Sequence, residues 1–495
     1  MGNVVDPNGY KFYTQKCSGR KRIYTDETEI TRDNVIAVVE KTMQTHMANV
    51  ARINYLVAYE QGNQPILDTP VDQDEIKNLV VVNVAASVTD FKVSYSLSSP
   101  ISYVRRGTDN GNTESADDNR VGILNEMCYE QDKVTKDQEL SRKYMITGLS
   151  YRAIFPRTND DNALSPFEII NLDPACTYII YSNDIWKRKM ASVTFYIDED
   201  GVRHYAVHTP TSVFEFIDGS YYVKETENGI GRIPVVCYET IDRMGKFEKA
   251  IPLLDGINKG ESDRSTSLSR FIDAILWMNN VDIDSEEFDE LRDKRAIKTG
   301  SQEGRQPSIK YVTAELNQTG AQALIDDMYD RALVICKVPG REQSSGGNTG
   351  QAVIFGASGW AEAESDANTD ANQFNRPERE CIDLMLTIAE KVLGSKNPLA
   401  GLKSTDIDVR FCRNRTANLI SKSQVLLNQL QAGVHPRIAI KQCDMYGDPE
   451  QVYLDSEPYM RKWMEDRQTE ANNNKTTDEA LEQDIINQAT VQVPD

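Results

Sequence analysis

Apolar residues recur three or four apart in the first 145 positions, alternate with polar ones from Gly148 to Glu239, and then return to helical spacing. The first stretch predicts a helix over Thr31–Ala58, with Val35, Ile36, Val39, Met43, Met47, Val50 and Ile53 on one face and Thr31, Asp33 or Asn34 as caps. A second helix is predicted over Asp74–Phe91, where Ile76, Leu79, Val80, Val84 and Val88 recur, and a third, charged and surface-lying, over Gly122–Met145. The β-rich region contains two predicted hairpins. One joins Val193–Ile197 to Arg203–His208 through Asp198–Gly201; the other joins Val213–Ile217 to Tyr221–Lys224 through Asp218-Gly219. His204 and His208 share a strand face there and, with no third ligand nearby, read as surface histidines.

Phe247–Met278 reads as one long helix, weakened at Gly256 and Gly260 and filled in its middle with Ser262, Ser265, Thr266, Ser267 and Ser269. That composition is too polar for a core helix and suits packing in a ring or bundle of copies. An insert over Asn279–Leu316 follows, an acidic run before a basic one; Asp282-x-Asp284-x-Glu286 there lacks the turn glycine of a calcium loop. Gly320–Lys337 is again helical, with Leu324, Ile325 or Met328, Leu333 and Ile335 as its apolar face. After a glycine-rich stretch, a helix over Glu362–Leu393 is expected to kink or break at Pro377. A strand over Asp406–Asn414, a helix over Leu419–Gln431 and a helical region over Pro436–Asp466 with Tyr446, Tyr453, Tyr459 and Trp463 complete an α+β reading, and the polar C-terminal residues read as disordered.

The glycine-rich stretch from Val338 to Trp360, charged only at Arg341 and Glu342, stands between two long helices. Glycines at 346, 347 and 350 permit positive φ and close backbone approach, so the segment suits a moving constriction, or simply a flexible connector. It is not a nucleotide-binding P-loop, because Gln351 and Ala352 follow Gly350 where a lysine and a hydroxyl are needed.

At 495 residues the chain exceeds a single core, and 39% hydrophobic with 26% charged residues is a globular composition. Asp and Glu outnumber Lys and Arg by 76 to 55, for a net charge of -21. Such a surface disfavours tight coating of nucleic acid but not a surface past which DNA slides. The eight cysteines are dispersed without a Cys-x-x-Cys pair, which fits free thiols. The first residues resemble neither a secretion signal nor a myristoylation site, and no apolar run is long enough to span a membrane. No His-Glu-x-x-His, nucleophile elbow or other catalytic pattern occurs among the four histidines and their neighbours, so neither an enzyme nor a cofactor is expected.

Several local patterns, in order, resemble the phage portal proteins of the SPP1-like group. They are the run from Asn83 to Ile101, Gly148 to Ile154 with the Leu172-Asp173-Pro174 step, Gly231 to Val236, then Phe247-Glu248, Leu254-Asp255, Asn258 and Ser262-Asp263, and finally Ser345 to Ala352 and Val409 to Asn414. The resemblance spans roughly residues 30 to 470, and departs from the family at Thr349, where a serine is usual and the loop is a residue shorter. It implies a wing (1–246 and 361–432), stem helices (247–278 and 320–338), a clip (279–319), a tunnel loop (339–360), a crown (433–475) and a tail (476–495). It further implies a ring of about twelve subunits at a capsid vertex, assembled in the host cytoplasm, around a channel for double-stranded DNA. The partners implied are the terminase large subunit, the major capsid and scaffolding proteins and a head-completion adaptor.

In such a ring each axis-facing side chain repeats once per subunit, so Glu261, Asp326 or Asp330 becomes a belt that repels phosphate only within a Debye length of about 8 Å. Lys259, Arg264 and Arg270 are then channel-lining cations, or partners in salt bridges between subunits. In the clip, Glu286, Glu287, Arg292, Lys294, Arg295 and Lys298 are the expected contacts for terminase or adaptor. Gln343, Ser344, Ser345, Gly346, Gly347, Asn348, Thr349 and Gly350 would face the DNA. The competing reading is a cytosolic helical adaptor that binds protein and has no channel, which leaves the helix, loop, helix order unexplained.

Overall fold

The computed structural model describes residues 19–70, 77–96, 100–106, 119–157, 164–272, 275–279, 308–312, 318–340, 350–411, 419–443, 445–446, 449 and 452–462. The chain divides into two units, Met1–Tyr95 with Gln138–Pro156 and Glu168–Leu384, and Ser96–Asp137 with Arg157–Phe167 and Met385–Asp495. The architecture is α+β.

In the first unit a six-stranded sheet runs in the order β1 (Ile23–Thr25), β5 (Thr177–Ser182), β6 (Lys189–Ile197), β7 (Arg203–His208), β8 (Ser212–Ile217), β9 (Lys224–Glu227). Only β1 pairs in parallel, with Ile23 opposite Ile180. Helix α1 (Val35–Glu60) lays Val35, Val38, Val39 and Met43 against Ile180, Val193, Val207 and Phe214, one apolar stripe on one pleated face. The β6–β7 hairpin forms as predicted, its turn held by Asp198 Oδ1, which accepts from the amides of Asp200 (3.1 Å) and Val202 (2.8 Å). The second hairpin differs. The β8–β9 pairing starts at Glu215 opposite Lys224 and runs to Ser212 opposite Glu227, so the connection is longer than predicted and leaves Tyr221 and Tyr222 exposed in the loop.

The histidines are not simple surface residues. His204 Nε2 donates to Asp198 Oδ2 at 2.8 Å and the ring stacks on Tyr196, and His208 is half-buried beside Phe155, where desolvation lowers its pKa. Among the described residues no group of three His, Cys, Asp or Glu side chains could hold a metal ion.

A smaller sheet orders β10 (Val235–Glu239), β3 (Leu149–Pro156) and β4 (Phe167–Leu172). Against it lies the part of helix α7 (Gly350–Leu393) that carries Phe374, Glu378 and Cys381. Pro377 does not break this 44-residue helix. The turn around it is fixed by packing: Glu378 is fully buried, accepts from Tyr238 Oη at 2.7 Å and pairs with buried Arg152 at 3.3 Å.

The segment predicted as one surface helix is two, each with one buried face, α3 (Arg120–Glu130) and α4 (Lys133–Thr147), broken at Asp132, whose φ is 48°. On α3, Val121, Leu124, Met127 and Cys128 are buried, and on α4 Leu140, Tyr144 and Met145. In the second unit, β2 (Ser102–Arg105) pairs antiparallel with β13 (Ile407–Arg410), and α8 (Leu419–Gln431) and α9 (Pro436–Cys443) pack on each other, followed by helix over 452–462. Residue 463 and the tail lie outside the described residues. The six described cysteines are free thiols.

Candidate channel segment and loop base

The long helix predicted over Phe247–Met278 is shorter. Helix α5 covers Ile251–Ile272, and Ile275–Asn279 is a strand (β11) paired antiparallel with β12 (Ser308–Val312), Trp277 opposite Lys310. Helix α6 (Gln318–Ile335) packs along α5. The two glycines permit that approach. A Cβ on Gly260 would sit 2.9 Å from Ile325 Cγ1, and one on Gly256 would sit 3.2 Å from Met328 Sδ.

The polar middle of α5 has a different use from the one its sequence suggested. The predicted helix over Asp74–Phe91 begins only at Val84 (α2, Val84–Ser96), and residues 77–83 run extended along α5. Asn78 N donates to Thr266 Oγ1 (2.9 Å), Val80 N to Ser262 Oγ (2.8 Å) and Val82 N to Asn258 Oδ1 (2.8 Å). Asn78 Nδ2 adds bonds to Ser265 O, Ser265 Oγ and Ser269 Oγ. The pairing is geometric: two extended residues advance about 6.6 Å and four helical residues about 6.0 Å, so alternate amides meet every fourth helix position. Half-buried amides that have no helical or sheet partner are thereby satisfied.

On α6, Ile325, Ala332, Leu333 and Cys336 are buried, whereas Leu324, Val334 and Ile335 are exposed, which corrects the predicted apolar face at Leu324 and Ile335. Lys259, Asp326 and Asp330 are exposed. Arg264 pairs with Glu261 at 3.2 Å on its own helix and donates to Gln322 of α6, whose Nε2 donates to Asp326 Oδ1 at 2.6 Å. Arg264 and Glu261 are therefore committed within the chain. The Arg270 side chain, the loop residues Gln343, Ser344, Ser345, Gly346, Gly347, Asn348 and Thr349, and Glu286, Glu287, Arg292, Lys294, Arg295 and Lys298 lie outside the described residues. Gly350 opens helix α7, so the second half of the stretch read as loop is helical.

Where α6 ends, a cluster that the sequence did not announce holds the base of that stretch. Val338 N donates to Leu333 O and Lys337 N to Val334 O, with Lys337 at φ 53° in the position that usually takes glycine. Its carbonyl accepts from Lys92 Nζ at 3.0 Å, and its ammonium pairs with Asp366 at 3.3 Å. Asp366 also receives Lys92 (2.8 Å) and Lys246 (3.1 Å); Lys246 reaches Asp370 at 2.7 Å, and Tyr144 Oη donates to Asp370 at 3.1 Å. Burial pushes the Asp366 carboxyl up, but Lys246 and Lys92 outweigh it and hold it well below the usual range. Asp370 is raised, by burial first and by the charge of Asp366, against the pull of Lys246. Burial lowers the Lys92 ammonium. The only sequence signal for this cluster was the i, i+4 spacing of Asp366 and Asp370 beyond the loop; nothing marked Lys92 or Lys246.

No described helix is long and apolar enough to cross a membrane. No curated protein matches the chain. The family model described as phage portal protein, SPP1 Gp6-like, matches residues 40–473 of 495, a span that holds α5, α6, the loop base and both ends of the glycine-rich stretch. With most of its length matched and an α+β architecture that fits, the chain belongs to the SPP1 Gp6-like family of phage portal proteins.

Proposed function

We propose that this portal protein acts as a closed ring of about twelve copies at one capsid vertex, with α5 and α6 lining a bore for double-stranded DNA during packaging and ejection. Family membership gives the portal role and the capsid setting. The observation that carries the ring is α6 itself. One face is buried on α5, yet Leu324, Val334 and Ile335 stand exposed on the opposite side with the Asp327–Arg331 pair between them, surface that an adjacent copy would cover. Exposed Asp326 and Asp330 then repeat around the axis and keep phosphate off the wall, while Lys259 supplies one weak, salt-sensitive contact per subunit. Residues 343–350 form the soft constriction, and their uncharged composition lets DNA pass without sticking. Residues 279–319 dock the terminase large subunit and later a head-completion adaptor, and the outer parts contact capsid and scaffolding proteins. The chain needs no catalytic site of its own, since the motor hydrolyses the nucleotide.

Native mass measurement with negative-stain imaging tests this. A large closed ring with an axial hole is expected, reduced to smaller species by Leu324→Glu with Val334→Glu; a wild-type protein that stays monomeric at micromolar concentration refutes it.

A further inference from the structure

Outside the helix pair, one cleft gathers positive charge on a chain that is strongly acidic overall. It lies in the first unit, encloses about 830 Å³, and is bounded by the β5–β6 loop on one side and by one face of α7 on the other. Five cations line it, Arg22, Lys187, Arg188, Lys189 and Arg376, against two carboxylates, Glu239 and Glu380. Both carboxylates are already used: Arg22 pairs with Glu239, and Lys189 with Glu380. Lys187, Arg188 and Arg376 make no ion pair with a described residue.

The first two of these are held by aromatic faces, which fix a cation without neutralising it. Lys187 Nζ lies 4.5 Å from the Tyr24 ring centre, and the Arg188 guanidinium 5.6 Å from that of Trp186, itself 71% exposed. The loop that presents them is closed on itself. Asp184 Oδ1 accepts from Ser182 Oγ and from the amides of Trp186 and Lys187, and Ser182 and Arg188 exchange two further bonds at 2.8 and 2.9 Å. The bond from Ser182 leads in lowering the Asp184 pKa against desolvation, and the Lys187 and Trp186 amides and the nearby Arg188 charge add to it, so this carboxylate holds the loop together. On α7, Asn372, Gln373 and Arg376 add donors on the same helix face.

We propose that this cleft binds an acidic polypeptide segment of a partner protein, with carboxylates at Lys187, Arg188 and Arg376 and an aromatic side chain against Trp186. The two paired glutamates decide against nucleic acid. Duplex DNA carries a charge about every 1.7 Å and cannot leave gaps opposite Glu239 and Glu380, whereas a peptide places an acid only where its sequence has one. The volume also fits a short segment in an open groove and not a duplex.

Fluorescence anisotropy with the full-length protein tests the assignment, using fluorescein-labelled probes: a peptide of about twelve residues rich in Asp and Glu with one Phe, its Lys counterpart, and single- and double-stranded DNA of similar length. The wild type should bind the acidic peptide most tightly, with affinity that falls as salt rises. The triple variant Lys187→Asn, Arg188→Gln, Arg376→Gln should bind it about tenfold more weakly, three exposed contacts acting together. Asparagine is chosen because Lys187 has φ 47°, a conformation asparagine tolerates. Arg376→Gln alone, exposed on a helix, should give a drop of about twofold to fivefold if the triple variant fails to fold. Equal binding of acidic and basic peptides, unchanged binding by the variants, or tighter binding of DNA that the variants abolish overturns the proposal. So does loss of the ring in the folded triple variant, which would give the cleft to a neighbouring copy. Binding is read on rings or monomers alike, so a failed ring leaves this test intact.

Discussion

Asp366→Asn removes the charge that three ammonium groups share, and the structure says which of them suffers. Lys246 keeps Asp370 at 2.7 Å, and Lys337 is half exposed, so water replaces its partner. Lys92 is the loser. Its side chain is 3% exposed, and without the Asp366 charge it retains the neutral Lys337 carbonyl at 3.0 Å and the more distant charge of Asp370. Leaving a buried charge without its counter-ion costs about 3–5 kcal/mol, and the remaining carbonyl bond argues for the lower end, about 3 kcal/mol. At 1.36 kcal/mol per decade that is roughly a 150-fold loss of protection for amides that exchange when the loop base opens. Hydrogen exchange with mass detection on peptides covering residues 330–340 and 360–372 reads it directly. Asp327→Asn is the control, because the Asp327–Arg331 pair at 2.8 Å is exposed and worth about 0.3–0.5 kcal/mol, near twofold. The sign with pH is also fixed. The Asp366 pKa is depressed in the fold, so its contribution is complete above the unfolded carboxyl value near 4 and is lost only as pH falls below that. The wild-type and Asp366→Asn difference should therefore stay constant from pH 7 to about 5. A change of less than about fivefold at pH 7 would show that Lys92 finds other solvation and that the cluster does not hold the loop base.

Gly260→Val places a branched side chain where a single Cβ already stands 2.9 Å from Ile325, so α5 and α6 must separate; a loss of about 1–3 kcal/mol by urea denaturation is expected, and Gly260→Val at wild-type stability would contradict the close packing. Ser262→Ala leaves Val80 N without its acceptor and should cost about 1–3 kcal/mol, with faster exchange at residues 78–82; unchanged exchange there would mean the extended segment is held by other contacts. His46 is buried, bonded to Ala175 O at 2.9 Å, and desolvation lowers its pKa to about 4. Folding therefore gains stability as pH rises from about 4 to 6.5, about 3 kcal/mol in all, and His46→Gln should flatten that limb of the stability profile measured by thermal melting; an unaltered slope refutes the assignment.

What the sequence disclosed follows from which contacts are local. Helix α1 was legible because its neighbours in sequence supply the 3.6-residue stripe that its packing uses, and the Asp198–Gly201 turn because aspartate and glycine meet that turn's backbone needs within four residues. Residues 77–83 were misread because Val80 stands four residues before Val84 and Leu79 three after Ile76, while the acceptors for this segment's backbone lie some 180 residues away on α5. The clue was on the acceptor side: Asn258, Ser262, Thr266 and Ser269 make a polar stripe at helical spacing, the mark of a helix that serves a backbone and not only a core. The α3–α4 break had no glycine or proline to signal it, since aspartate enters the left-handed region without either. Of the site, the two helices α6 and α7 were visible on either side of the glycine-rich stretch; Lys92 and Lys246 were hidden because their partners come from distant parts of the chain.

The end of α6 breaks three local rules at once. A lysine occupies a left-handed position at φ 53°, where glycine avoids a cost of about 1–2 kcal/mol; a second lysine is buried; and two carboxylates sit one helical turn apart. Glycine at 337 with an apolar cluster beneath it would hold the two helices together at lower cost, since replacing buried ion pairs by packed apolar groups is often stabilising. What such a replacement loses is direction. Lys337 is fixed at its carbonyl by Lys92 and at its ammonium by Asp366, so both backbone orientation and side-chain position are specified at the residue from which the chain leaves α6, whereas glycine would leave that exit free. For a segment proposed to meet DNA once per subunit around a ring, a common exit angle in every copy matters more than added stability, and concentrated violations of local preference are expected where such a demand overrides it.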